Sequence, residues 1–191
     1  MEALIGLGNP GESYRGHRHN AGWMLLEKVA STGRCLQRHS LQRVDLEEVR
    51  LGGRRLWLMR SRTFMNNSGV GVSDGCEELG LAPHEVLVAY DDVDLSIGRL
   101  RLRRTGGDGG HKGLRSVIKC LGTCDVPRLR LGIQGEWANV DTANYVLSDF
   151  EADEEEVVER MINSAVDAVE MILHRGFMAA MNNFNVQGAV Q

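Results

Sequence analysis

A single α/β domain, built on one twisted mixed sheet with helices around it, is the architecture this sequence predicts. Three observations carry the expectation. The chain has 191 residues, enough for one compact domain spanning 1–191 with little room for a second. Short apolar runs of strand length alternate along it with stretches of helical spacing. One pair of strand-like runs is joined by two glycines, a hairpin signature that makes the sheet mixed.

The elements follow in order. Ala3 to Leu7 reads as a short buried strand ending in a tight loop at Gly8-Asn9-Pro10-Gly11. Asn20 to Ala30 has Trp23, Leu26 and Val29 at helical spacing. Val44 to Leu51 and Arg54 to Met59 flank Gly52-Gly53 as a hairpin. Val70 to Leu79 is a helix that Gly80 caps. Val86 to Tyr90 is a continuous apolar run bounded by Asp91, as a central strand requires. Leu100 and Leu102 alternate with arginines, like a half-buried strand. Leu114 to Leu121 is a short helix and Leu129 to Ile133 a strand. From Glu154 to His174 one face carries Val157, Val158, Met161, Ile162, Ala165, Val166, Val169 and Ile172. Acids open that helix, His174-Arg175 close it in accord with the macrodipole, and Gly176 stops it.

Composition narrows the class. No apolar run approaches the roughly 18–20 residues that span a bilayer, so no membrane partner is expected. The N-terminus lacks a basic flank, and the four cysteines form no disulfide-like framework; a reduced, cytoplasmic setting is expected. The net charge of −4 argues against coating nucleic acid over the whole surface. Yet Arg99 to Lys119 holds seven basic residues and one acid, whereas Asp149 to Glu159 holds seven acids and no base. The basic stretch is either a local anion-binding face or a solvated strand edge.

Five clusters can carry chemistry. Gly6-Leu7-Gly8-Asn9-Pro10-Gly11 matches the dinucleotide pattern G-x-G-x-x-G, but Gly16 interrupts the helix that should follow, and no acid ends a second strand. The glycines serve instead to turn a loop that holds the Asn9 amide over a pocket. In His17-Arg18-His19-Asn20 a histidine precedes a helix start, where it can stay neutral and act as a base. No cysteine or acid at ligand spacing accompanies it, so no metal is expected. Thr63 to Gly69 offers the Asn66 amide and a Met65 wall, with helix capping by Asn67 or Ser68 as the plainer role. Asp91-Asp92-Val93-Asp94 follows a central strand, where a carboxylate can fix a histidine tautomer. Binding of Mg²⁺ or Ca²⁺ there is less suited, because alternate residues face opposite ways. Gly106 to Gly113 has five glycines in eight residues and leads into a helix, but it fails the Walker spacing.

Together these clusters resemble bacterial-type peptidyl-tRNA hydrolases over Leu4 to about Asn185, nearly the whole chain. The resemblance implies that fold, and an enzyme that hydrolyses the ester bond between peptide and tRNA. It implies His19 as the general base that activates water, Asp91 as its orienting acid, and Asn9 and Asn66 as the amides that hold the peptide and ester. Tyr14, Phe64 and Met65 then line a groove, with Asn20, His111 and Lys112 at the substrate. Arg103, Arg130 and the neighbouring Arg104 match the region that grips the tRNA acceptor stem. A monomer without cofactor or metal is implied as well. A rival function is an RNA-binding homologue without chemistry, like the related chloroplast intron-splicing factors; the surviving His19 and Asp91 speak against it.

The sequence departs from the family at several positions. Lys112 stands where an asparagine usually follows Gly-Gly-His, Phe64 where a tyrosine is usual, His17 where a threonine is usual, and Ser61 where a proline is expected. The lysine brings a positive charge close to His19, His111 and Asp91. It can assist an oxyanion, or pair with Asp91 and draw it from His19, or turn outward to a phosphate. Retained but reduced activity is the expectation.

Overall fold

The computed structural model describes residues 1–135 and 141–185. In chain order the strands are β1 (Ala3–Gly6), β2 (Arg34–Ser40), β3 (Val44–Leu51), β4 (Arg54–Ser61), β5 (Val86–Ser96), β6 (Leu100–Arg103) and β7 (Arg128–Gln134). The helices are α1 (Ala21–Thr32), α2 (Ser68–Leu79), α3 (Lys112–Leu121), α4 (Thr142–Val146), α5 (Glu155–Arg175) and α6 (Phe177–Phe184). The strands form one sheet in the order β2-β3-β4-β1-β5-β7-β6. Strands β4, β1, β5 and β7 run parallel, while β2, β3 and β6 are antiparallel to their neighbours. The mixed α/β sheet predicted from the sequence is the sheet observed.

Alternation along the central strands builds two cores. Leu4, Leu58 and Leu87 point into the layer with α1, α5 and α6, whereas Ile5, Met59 and Val88 point into the layer with α2 and α3. The hairpin turn needs its glycines, since Gly52 has φ 54° and Gly53 φ 84°. Gly80 ends α2 in the left-handed region, as expected.

Several boundaries differ from the sequence reading. Strand β5 does not stop at Tyr90 but continues through the three aspartates to Ser96, with a register irregularity against β7 after Asp92. Strand β2, helix α6 and the short α4 are unanticipated. Six of the seven residues of β2 are exposed, so it lacks the apolar alternation that marks a strand; pairing with β3 alone maintains it. On α5, Ala168 joins the buried stripe and Val157 is only half buried.

One close approach positions everything that follows. The start of α1 lies directly on the carboxyl ends of β1 and β5. A Cβ at Gly22 would stand 2.5 Å from the Ala89 carbonyl oxygen and 2.6 Å from Leu7 N, and one at Gly6 would stand 2.3 Å from the Gly22 carbonyl oxygen. Backbone meets backbone there, so no side chain can yield. Gly22→Ala is expected to destabilise the protein by about 1–3 kcal/mol, the usual cost of overpacking, seen as a lower urea midpoint at unchanged m-value.

Candidate active site

The carboxyl ends of the parallel strands open into a cleft of about 1080 Å³, lined by Asn9, Tyr14, His19, Phe64, Met65, Asn66, Asp91, His111, Lys112, Arg103 and Arg130 among others. It thus gathers nearly all of the residues singled out in the sequence. His19 sits in a 3-10 turn, Arg18–Asn20, that leads into α1. That places it across from Asp91 on β5.

Asp91 is the hub. His19 Nδ1 lies 2.9 Å from its Oδ1 and 2.8 Å from its Oδ2. His111 Nε2 lies 3.0 Å from Oδ1. The other nitrogen of His111, Nδ1, accepts the Leu114 N–H at 3.1 Å and so caps α3. A ring nitrogen that accepts carries no proton, so His111 donates to Asp91 through Nε2–H. Asp91 in turn draws the proton of His19 to Nδ1, leaving His19 Nε2 as an unprotonated acceptor. Burial by itself raises the Asp91 carboxyl pKa, but His111 and His19 outweigh it and hold that pKa well below the usual carboxylate range.

Asn9 is held from three sides. Its N–H donates to Asn20 Oδ1 at 2.9 Å, and its carbonyl accepts from Asn20 Nδ2 at 3.0 Å. Its own Oδ1 accepts the Met65 N–H at 2.8 Å, so only Nδ2 remains to donate into the cleft. Asn20 is therefore a correction. Expected at the substrate, it is buried with its amide fully engaged on the Asn9 backbone. Arg104 lines a separate small groove with Met1, His84 and Phe177. Asn67 and Ser68 make no side-chain cap on α2, and the buried Ser68 hydroxyl has no partner among the described residues. His111 has both ring nitrogens engaged, leaving only its ring surface to a ligand.

Lys112 is exposed at the first turn of α3 and lines the cleft. Asp91 is occupied by the two histidines, and Lys112 forms no ion pair among the described residues, so the carboxylate is not drawn away. Within the basic stretch, β6 is an edge strand and its Arg103 lines the cleft.

Sequence reasoning missed Arg18. Its side chain is buried, 2.5 Å from Glu154 Oε2, with its guanidinium 4.4 Å from the Tyr145 ring and 4.9 Å from the Phe150 ring. It ties the turn bearing His19 to the segment around α4. No local signal marks a pair 136 residues apart. His19, Asp91 and His111 also place ligand atoms within 4.8 Å of one another, and among the described residues they are the group that could hold a divalent ion. Spacing in the sequence did not disclose that cluster.

Asp91→Asn keeps the shape but removes the charge. Turnover is expected to fall at least ~10²-fold, because the His19 tautomer loses its anchor. A carboxyl with a depressed folded pKa stabilises the fold above the unfolded value of ~3.9 and loses that contribution as pH falls below it. Urea midpoints from pH 7 to 3 should accordingly fall less steeply in the variant than in the parent protein.

Comparison with known proteins agrees with this geometry. The family model described as Peptidyl-tRNA hydrolase matches residues 3–191. A peptidyl-tRNA hydrolase of Pseudothermotoga lettingae is 37% identical over 185 residues, covering 97% of each chain. One from Synechococcus sp. is 43% identical over 188 residues, covering 97% of this chain and 83% of that one. The crystal structure of the Acinetobacter baumannii peptidyl-tRNA hydrolase superposes with a TM-score of 0.89 at 29% identity, covering 97% of this chain and 95% of that one. With a matching sheet, a matching family model and relatives aligned end to end, the chain belongs to the peptidyl-tRNA hydrolase family.

Proposed function

We infer that the protein hydrolyses the ester between a peptide and its tRNA, with His19 as the general base. The observation that carries this reading is the buried His19–Asp91 pair in the wall of the cleft, which leaves Nε2 free to accept a proton. Water gives a proton to Nε2 as its oxygen bonds to the ester carbonyl carbon. The tetrahedral intermediate then collapses, breaking the bond to the ribose oxygen, which takes the proton back from His19. The products are free tRNA and a peptide carboxylic acid, which gives up its proton to water and leaves as the carboxylate.

Asn9 Nδ2 and the Asn66 amide are the neutral donors suited to the substrate carbonyls and the oxyanion. Tyr14, Phe64 and Met65 form an apolar wall for the peptide; the Tyr14 and Phe64 rings meet edge-on at 6.2 Å, and Phe64 is 55% exposed. Arg103 and Arg130, at the other end of the cleft, suit phosphates of the acceptor stem. The reading includes a cytoplasmic monomer acting without cofactor or metal. Among the described residues no helix is long and apolar enough to cross a membrane, and the four cysteines are free. A binder without chemistry would have no use for a buried carboxylate that fixes a histidine tautomer, which favours the enzyme over the RNA-binding homologue.

Single-turnover cleavage of an N-acetylated aminoacyl-tRNA tests the base. His19→Asn is expected to slow it at least ~10²-fold while tRNA affinity barely changes. The parent enzyme should keep its rate after exhaustive chelation; loss of activity that a divalent ion restores would reassign His19, Asp91 and His111 as metal ligands.

The departure at Lys112 gives a second test. A long exposed ammonium is a poorly fixed point charge, whereas an amide at the start of α3 is held by the helix. Lys112→Asn is expected to raise kcat with a change in stability within ~0.5 kcal/mol, as for other surface substitutions. Equal or lower turnover would show that the chain is adapted to its lysine.

A further inference from the structure

Four arginines stand together on one face where β6 meets β7. Arg101 lies opposite Arg130, and Arg103 opposite Arg128. Residues directly opposed across strands share a face, and like charges placed so repel. Arg128 is internally satisfied: its guanidinium donates to the carbonyls of Val126, Gly107 and Cys124. Arg130 donates through Nε to Asp92 Oδ2. Among the described residues Asp92 is the carboxylate that pairs with any of the four.

Asp92 is fixed in its own right. It is buried beside Asp91, and its Oδ1 accepts the Asp94 N–H at 3.0 Å. A guanidinium held at Nε cannot swing away, and its remaining edge stays available to a ligand. Both Asp92 and Arg130 line the cleft that contains His19. Successive residues of a strand face opposite ways, so the two neighbouring carboxylates serve different partners: Asp91 the histidines, Asp92 the arginine.

We propose that Asp92 is a positioning residue for tRNA binding, holding the Arg130 guanidinium so that its free nitrogens meet a backbone phosphate next to the ester. The proposal rests on reading the cleft as a peptidyl-tRNA site. Its physical basis is preorganisation, since the entropy of ordering an arginine is lost during folding rather than during binding. Simple charge counting makes the opposite statement, namely that removing a carboxylate from a basic face strengthens its hold on an anion. The sign of the effect therefore separates the two.

The experiment is a double-mutant cycle of Asp92→Ala and Arg130→Ala. It reads KM and kcat on N-acetylated aminoacyl-tRNA, and Kd for deacylated tRNA across a salt series. Asp92→Ala should raise KM and Kd by about three- to tenfold, the scale of ordering one side chain, with the loss in KM rather than kcat. The salt slope should flatten by about one phosphate contact. The double mutant should bind no more weakly than Arg130→Ala alone, because Asp92 acts through that residue. Asp92→Asn keeps an acceptor for Nε and should fall between; it replaces the alanine variant in the cycle if that one does not fold. Unchanged or tighter binding, or effects that simply add, would overturn the proposal. If the parent protein binds tRNA without cleaving the ester, the functional reading fails, while the Kd arm still judges Asp92.

Discussion

A carboxylate buried between two histidines is the interaction on which the rest of the cleft depends. Desolvation opposes keeping Asp91 ionised, and two N–H donors overcome it. The fold meets this demand with three separate pieces of chain: the turn before α1, the middle of β5 and the start of α3. Each is fixed by something other than the carboxylate. Glycine contacts press α1 onto the sheet, β5 is paired on both sides, and His111 caps its own helix. The charge therefore enters an environment already assembled, which is how a site avoids reorganising during reaction.

Around this centre the work is divided by position along the sheet. The apolar aromatic wall lies by the loops after β1 and β4, and the arginines lie at the β6–β7 edge. Asn9 and His19 line the same cleft as both. Asn9 shows how completely such a residue is constrained. Three of its four polar groups are tied to Asn20 and Met65, so the remaining amide hydrogens have one direction in which to point.

Much of this was legible in the sequence. The apolar alternation of β1 and β5 and the stripe on α5 come from burial, which leaves a pattern in residue type. His19 and Asp91 were legible because one stands in the turn before a helix and the other where the apolar run of a central strand gives way to acids, although the strand itself runs on to Ser96. What escaped depends on partners distant along the chain. The Arg18–Glu154 pair and the grip of His111 on Asp91 leave no local trace. Asn20 was misplaced at the substrate for the same reason: its neighbour in space is the Asn9 backbone, which no local pattern of side chains discloses. Strand β2 escaped because an exposed edge has no hydrophobic period to display.

That exposed edge has its own consequence. Open sheets carry a row of unpaired N–H and C=O groups on each outer strand, an invitation to stack with another sheet. Here one margin is β2, with Arg34 and with Arg38 paired to Glu47, and the other is β6, with Arg101 and Arg103. A second copy approaching margin to margin would set arginines against arginines, whichever edges met. Like charges at the borders disfavour such stacking, and on β6 the Leu102 N–H and carbonyl are already taken by the Asn185 side chain, so that margin offers a second sheet fewer open groups.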